Sequence, residues 1–514
     1  MTSVRPSCPA GVRLAQIAAE VRGDVLGDGT TLVTDVHHDS RLVAPGDLFV
    51  ARGGSRYDGV QFVEQAIARG ALAVLAARHH APASCAVPMV LVDDVRAAMA
   101  HAAELVHGRP SRQAVVFGIT GTNGKTTTVW LLEHALRAAG HRPGVLGTYG
   151  ARLGEHAIPT GFNTPEADEL TRIVAWMVQQ RASHVLLEMT SIALDQKRTD
   201  GLRTRVAALT HLTQDHLDYH VTMDRYGAAK ARLFFDLAPE CAVVMVDDDF
   251  GRQVADRLGG RALRVSRHGQ ARADVRPLHP ARHGLEGLVV AVQTPCGAVE
   301  VKSPLFGAHN LSNLLLALGS CVAFGLDVEV AARAMQVCPP PPGRLERCDG
   351  PDDDILAFVD YAHTPDGLVQ MLASVRMVCR GRLICVFGCG GDRDRTKRGP
   401  MGRAAEEGSD VMVITSDNPR SEDPGDIAAQ VLAGTTGRGA RAIVQLDRPA
   451  AIHSAVALAE PGDVVVVAGK GHERVQVVGT IATPCDDAAL LRGALRRRRL
   501  SSRMHPPQDP SVGS

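Results

Sequence analysis

The chain has 514 residues, 45% hydrophobic and 22% charged, which is more than one ordinary core needs and unlike the composition of disordered, fibrous or membrane proteins. Its 56 Lys and Arg balance 56 Asp and Glu, so a formal net charge of zero argues against an extended nucleic-acid surface and leaves only local basic pockets. The segment Met1 to Ala18 lacks the apolar core of a leader, and no run of about 18 apolar residues occurs anywhere, so a cytoplasmic, monomeric protein without nucleic-acid or integral membrane association is expected. The 11 cysteines form no Cys-x-x-Cys pair and no compact disulfide framework, and read as reduced core residues.

In chain order, residues 1–112 carry short β-like runs at 71–76 and 87–92 with a polar, turn-prone stretch between them, the pattern of a small α/β domain. A second unit, 113–342, opens on the apolar run 114–119, passes through a glycine-rich turn and enters a helix at 126–132. Strand candidates at 184–187 and 242–246 alternate with helical stretches, which predicts a mainly parallel sheet. Four prolines, 339–342, make a stiff connector into a third unit, 343–499. Its apolar strands at 382–388, 411–415 and 463–469 each end in polar or glycine-rich sequence, where open α/β sheets gather ligands. Residues 500–514 are expected to be a disordered tail, and Arg496 to Arg499 a solvated helix end or, less economically, a site for an acidic partner. The fold class expected is therefore α/β in three domains.

Gly121-Thr122-Asn123-Gly124-Lys125-Thr126 has the composition of a loop that binds phosphate with backbone N–H groups at a helix N-terminus. Lys125 adds positive charge there, and the Thr126 hydroxyl suits Mg²⁺. Five residues separate Gly118 from Gly124, where the general phosphate-loop pattern has four. Such loops serve many reactions, so other residues must choose among them. Glu188, at a strand end, and His216, in a polar stretch, offer a carboxylate and an imidazole to a divalent ion. Taken singly, His216 reads as structural.

Together these segments resemble the Mur ligase family, which joins amino acids to the peptide stem of peptidoglycan precursors. The resemblance covers nearly the whole chain. The stretch Thr120 to Thr127 is similar to the family's signature and accounts for the irregular spacing. It implies an N-terminal uridine-nucleotide-binding domain, a central ATPase-like domain and a C-terminal Rossmann-like domain that binds the amino acid, with ATP and Mg²⁺ as cofactors. Gly121, Thr122, Asn123, Gly124, Lys125, Thr126 and Thr127 would bind ATP, with Asn310 and Asn313 at the adenine and Arg344 and Asp360 contributed from the third domain. Lys125, Glu188, His216 and Lys230 would be catalytic, and Thr126, Glu188, His216 and a carbamylated Lys230 would hold metal.

Further stretches resemble the branch of the family that adds the third amino acid. Asp39-Ser40-Arg41 and Ser55-Arg56-Tyr57 would face the UDP group, with Ser40, Ser55, Arg56 and Tyr57 binding it. Asn163, Thr164, Thr190, Gln196 and Arg198 would hold the muramoyl peptide. Arg393, the motif Asp417-Asn418-Pro419-Arg420, Gly469 and Glu473 would bind meso-diaminopimelate, whose distal carboxylate suits guanidinium and whose ammonium suits Asp417, Glu473 and the Gly469 carbonyl. A turn after the strand at 411–415 is the plainer role of Asn418-Pro419.

The chain departs from the family pattern at Phe162 and Asn163, at Thr190 and Ile192 where Ser and His are usual, at His211 for Asn and at His309 for Phe. These positions lie toward the peptide and metal. The acid activated therefore has two readings, the UDP-N-acetylmuramoyl-L-alanyl-D-glutamate of the family or another acyl donor in a specialised pathway. A non-catalytic ATP-binding scaffold is a third reading, and it would not need Lys125, Glu188, His216 and Lys230 together.

Overall fold

The computed structural model describes residues 5–6, 10–54, 57–270 and 272–504, with backbone only for 502–504. The first sheet has five strands in the order Asp24–Leu26, Met89–Val92, Ala73–Ala77, Asp47–Ala51 and Asp35–His37. All neighbours are parallel except the first pair. Its inner strands read as nearly continuous apolar runs because both faces are covered. One face packs on the helices Leu14–Val21 and Val95–Val106, and the other on Val63–Ala68.

The central sheet has eight strands in the order His156–Ile158, Gly150–Leu153, Pro143–Gly147, His184–Glu188, Val115–Thr120, Thr204–Leu209, Cys241–Met245 and Ala262–Val265. The last six are parallel, and an antiparallel hairpin closes one edge. The strand Val115–Thr120 lies between two later strands, so the chain leaves its carboxyl end into a crevice walled by the ends of both neighbours. Ligands bind at such a switch point. A four-stranded antiparallel sheet formed from segments between Arg276 and Ser303 packs beside this unit, an element that the alternating pattern does not announce.

The third sheet has the order Glu346–Arg347, Leu356–Asp360, Val464–Ala468, Leu383–Phe387, Val411–Ile414 and Arg441–Val444. The strand latest in sequence enters at its middle, bringing Gly469 between the ends of Leu356–Asp360 and Leu383–Phe387. The observed strands match the apolar runs read from the sequence to within a residue or two, as expected where burial on both faces selects β-branched segments.

Two expectations need correction. The last helix, Asp487–Met504, continues through the first residues of the stretch expected to be disordered, and 505–514 lie outside the described residues. Arg498 pairs with Asp354 and Arg499 with Asp353, each at 2.8 Å, so these two basic residues fasten the helix to its own sheet. The cysteines form no disulfide among the described residues, and most are buried, but Cys296 is exposed.

One ion pair ties the last helix to the third sheet. Arg448 and Asp487 are both 0% exposed and meet through two bonds, Nε to Oδ1 at 2.8 Å and Nη2 to Oδ2 at 2.6 Å. Arg448 also donates to the Ala468 carbonyl at 2.9 Å. Removing one partner strands a buried charge, so Arg448→Ala is expected to cost about 3–5 kcal/mol. Replacing both with apolar residues of similar volume should recover most of that in chemical unfolding followed by a probe in the third domain; equal loss in the single and double variants would contradict this account.

Candidate functional site

The loop after Val115–Thr120 requires glycine at two places. Gly121 has φ +136°, and a Cβ there would lie 1.7 Å from Thr210 Oγ1. Gly124, with φ +89°, starts the helix Lys125–Ala138, and a Cβ would lie 2.2 Å from Asn313 Oδ1. The backbone is thereby pressed against Thr210 and Asn313 with its amides gathered at a helix N-terminus.

Two lysines converge on this loop. Lys125 Nζ donates to the carbonyls of Gly121 at 2.9 Å and Thr122 at 3.0 Å. Lys230 Nζ, from the helix Met223–Phe235, donates to the same Gly121 carbonyl at 2.8 Å and lies 4.4 Å above the Tyr226 ring. Burial lowers the pKa of both ammonium groups, well below the ordinary lysine value for Lys230, where the nearby Lys125 charge adds to the effect. A buried amine that is readily neutral suits reaction with CO₂ to a carbamate.

Glu188, at the end of His184–Glu188, is 2% exposed. It accepts from Thr126 Oγ1 at 3.0 Å, Thr148 N at 2.9 Å and Thr148 Oγ1 at 3.0 Å. The Thr126 hydroxyl is thus already beside the carboxylate with which it would share an ion. Thr148 is a member that sequence reading missed; its only local signal is a polar residue just past the strand Pro143–Gly147. His216 has φ +54°, and its Nε2 is 3.5 Å from Asp215 Oδ2. Burial, reinforced by Lys125 and Lys230, pushes the His216 pKa down, leaving a neutral imidazole able to act as a ligand. Among the described residues, the group of three His, Cys, Asp or Glu ligand atoms lying within 4.8 Å of one another is elsewhere, at Asp35, His37 and Asp47, where Arg172 and Arg5 already supply positive charge. In the central site Glu188 stands beside the Thr126 hydroxyl, and His216 lies close enough to Lys125 and Lys230 to feel their charge.

Beside the loop, a cavity of about 200 Å³ is lined by Asn123, His211, Asp247, Arg267, Asn313 and Asp366. Among the described residues, Asn123 Nδ2, Thr210 Oγ1 and His211 Nε2 are buried there without hydrogen-bond partners, with Asp366 Oδ2 3.8 Å from His211 Nε2; they are donors and acceptors of the kind a polar ligand would satisfy. Asn313 lines this cavity, whereas Asn310 does not: its Nδ2 donates to Phe306 O at 3.0 Å and its Oδ1 accepts from Asn313 Nδ2 at 3.2 Å. Asn310 therefore steadies Asn313. His309 is half-buried beside Ser374, its pKa pushed down to about 4 by desolvation.

The third domain reaches this site through the connector. Trp130 donates to Pro339 O at 2.9 Å and Tyr149 OH to Pro342 O at 2.6 Å. Arg344 Nη2 then lies 3.3 Å from Thr126 Oγ1, with its guanidinium over the Tyr361 ring. Asp360 does not line the cavity beside the loop. Its two oxygens accept from Leu345 N at 2.7 Å and Ala362 N at 2.8 Å, so it holds the turn that aims Arg344.

On the opposite side, a cavity of about 740 Å³ between the first and central domains is lined by Ser40, Tyr57, Arg52, Phe162, Gln196 and Arg198. Ser55 and Arg56 lie outside the described residues. Thr164 and Thr190 are turned away from this cavity: Thr164 Oγ1 donates to Glu188 O at 2.7 Å, and Thr190 Oγ1 accepts from Ala193 N at 3.3 Å to cap the helix Ser191–Asp195. Asn163 donates to Thr148 Oγ1 at 3.2 Å, next to Glu188.

A third cavity, about 260 Å³, has the central domain on one wall and the third domain on the other. Asp215 and His216 face Arg393, Arg420, Asp417, Gly469 and Glu473 across it. His363 and Lys397, which sequence reading missed, also line it. Arg420 has φ +52° and rests Nη1 on Gly391 O at 2.7 Å, the aim that the turn at Pro419 provides. Asn418 also lines this cavity, but its amide is engaged within the chain, with Nδ2 on Glu473 Oε2 at 2.9 Å.

Three segments match Mur ligase family models: residues 32–107 the family's catalytic domain, 119–321 its middle domain, and 343–471 its glutamate ligase domain. A UDP-N-acetylmuramoyl-L-alanyl-D-glutamate–2,6-diaminopimelate ligase of Gloeobacter violaceus is 42% identical over 495 residues, covering 95% of this chain and 99% of the relative. The ligase of the same name from Streptomyces coelicolor is 41% identical over 502 residues, covering 96% and 99%. A solved structure of a ligase with that name superimposes with a TM-score of 0.69 at 31% identity, covering 95% of this chain and 99% of the other. MurF from Acinetobacter baumannii shares the fold, with a TM-score of 0.65 at 19% identity over 96% and 100% of the two chains. With two lysines converging on a glycine-rich loop at a helix start, and with such relatives along nearly its whole length, this chain belongs to the Mur ligase family.

Proposed function

We propose that the chain is an ATP-dependent ligase that adds meso-diaminopimelate to UDP-N-acetylmuramoyl-L-alanyl-D-glutamate in peptidoglycan precursor synthesis. The observation that carries this reading is the third cavity, where Asp215 and His216 beside the phosphate loop face Arg393, Arg420 and Glu473 of another domain. An acid activated at the loop would meet an amine held opposite it. High identity over nearly the full length to ligases named for this substrate pair does not favour the second acyl donor.

The D-glutamate γ-carboxylate takes the γ-phosphoryl group of ATP, forming a C–O–P linkage as the bond to ADP breaks. The amine then attacks the acyl carbon, a C–N bond forms and inorganic phosphate leaves. Positioning and electrostatics supply most of the rate in such transfers. Lys125 and the loop amides hold negative charge on the transferring group, and Arg344 is brought to the same place by the third domain. Mg²⁺, held by Glu188, His216, Thr126 and a carbamylated Lys230, would neutralise phosphate charge. Neutral His216 and the carboxylate of Glu188 fit that task, and the poised Lys230 amine fits carbamate formation. Ser40 and Tyr57 would hold the uridine-nucleotide end in the large cavity, and Gln196 and Arg198 the muramoyl peptide.

Lys125→Ala is expected to lower substrate-dependent ADP release by about 10³-fold or more while the melting temperature changes little. A folded variant with near-normal turnover would reject the role of Lys125. Lys230→Ala is expected to lose about 10²- to 10³-fold in kcat, to regain part of it with short-chain carboxylates, and to lack a carbamate resonance seen in the unmodified protein with ¹³C-bicarbonate. Absence of that resonance from the active unmodified protein would remove the carbamate from the mechanism. In phosphate release with purified UDP-muramoyl dipeptide, lysine lacks the distal carboxylate, and its kcat/KM should fall below that of meso-diaminopimelate on the order of 10- to 10²-fold, because the charge-assisted bonds from exposed Arg393 and half-buried Arg420 to that carboxylate would be lost. Equal use of both amines would argue against Arg393 and Arg420 as carboxylate ligands.

A further inference from the structure

The amine cavity has a buried cation behind its wall that the reaction above leaves without a task. Lys470, immediately after Gly469, is 0% exposed. Its Nζ donates to Asn418 Oδ1 at 3.2 Å, Glu473 Oε2 at 3.0 Å and Val475 O at 2.6 Å. An ammonium has three donors, so Lys470 is saturated within the chain and has none left for a ligand.

Asn418 is engaged in the same way. Its Nδ2 donates to Glu473 Oε2 at 2.9 Å, while its Oδ1 accepts from Lys470 and from Val477 N at 2.9 Å. Lys470 and Asn418 therefore converge on one oxygen of Glu473, a residue whose side chain is 32% exposed and lines the amine cavity. With Oε2 held by two donors from within the chain, the orientations open to the carboxylate are restricted. The surrounding backbone is held by the same group of contacts. Gln476 Nε2 donates to Asp417 O at 2.7 Å and Arg420 N to Val477 O at 3.0 Å, so the hairpin Val475–Pro484 and the Asp417–Arg420 turn form one unit around Lys470.

We propose that Lys470 is a positioning residue for the amine substrate, acting with Asn418 through Glu473. A glutamate with three rotatable side-chain bonds would otherwise sample many orientations, and an ammonium bound by a wandering carboxylate is poorly aimed at an acyl carbon. A charge kept dry and fully bonded beside the carboxylate removes that freedom. This inference rests on the reading of the reaction given above, in which Glu473 receives the ammonium of diaminopimelate.

The test is steady-state phosphate release with UDP-muramoyl dipeptide, varying each substrate in turn, for the unmodified chain, Lys470→Met, Glu473→Gln and the double variant, each checked by melting temperature. Lys470→Met is expected to raise the KM for meso-diaminopimelate about 10- to 100-fold, leaving KM for ATP and for the UDP dipeptide within about threefold and kcat at saturating amine largely retained. The double variant should be no worse than Glu473→Gln alone, because the lysine acts only through that carboxylate. Should Lys470→Met fail to fold, Lys470→Gln, which keeps a donor and drops the charge, takes its place in the same comparison. An unchanged KM for the amine, a parallel rise in all three KM values, or effects that multiply in the double variant would overturn the proposal. Absence of any diaminopimelate-dependent turnover by the unmodified chain would instead bring down the reading of the reaction, and this inference with it.

Discussion

Two ammonium groups donate to one carbonyl oxygen at the centre of this protein, and much of the structure follows from that crowding. Lys125 and Lys230 both reach Gly121 O, in a crevice dry enough to depress the pKa of each. Like charges brought together in low dielectric are costly unless an anion arrives or one of them is neutralised. Phosphate groups meet the first condition and carbamylation meets the second. The same lysines add to the burial that lowers the His216 pKa, and the Glu188 charge favours the protonated form of Lys125. A crevice of this kind favours an anion over a neutral group.

Holding such a crevice open demands rigid supports, and they come from the sheet. Val115–Thr120 sits between His184–Glu188 and Thr204–Leu209, so Glu188 and Thr210 arrive on either side of the loop by strand pairing alone. The third domain adds its parts through backbone-directed carboxylates. Asp360 spends both oxygens on the turn that carries Arg344, and Glu346 accepts from Gly343 N at 2.8 Å. Lys470 and Asn418 do the equivalent for Glu473 on the amine side. In each case a charged group inside the domain is fully bonded so that one beyond it can meet a substrate.

The architecture was largely legible in the chain. Apolar runs ending in glycine or polar residues marked the parallel strands, and the irregular phosphate loop separated this family from other nucleotide binders. The sets around Lys125, Glu188, His216 and Lys230, and around Arg393, Asp417, Arg420 and Glu473, also came from motif residues. Less was legible where a motif residue has two possible faces. Asn310, Asp360, Thr164, Thr190 and Asn418 were all expected to touch ligands, and in the structure each has polar atoms bonded to its own chain. The reverse error omitted Thr148, His363 and Lys397, which no local pattern distinguishes from ordinary loop or helix residues but which stand beside Glu188 or line the amine cavity.

Sequence by itself determined what contiguous residues can determine: which segments are buried strands, where their carboxyl ends fall, and that glycines next to a lysine at a helix start would cradle phosphate. Those properties depend on hydrophobic period and backbone freedom, both written locally. Only the tertiary structure decided which polar atoms are left over. Lys230 meets Gly121 across 109 residues and Lys470 meets Asn418 across 52, so whether a side chain is a ligand or a brace for one depends on partners that proximity in sequence does not supply. Hydrogen-bonding capacity is finite, and the groups that bind substrate are those whose capacity the fold has not already used.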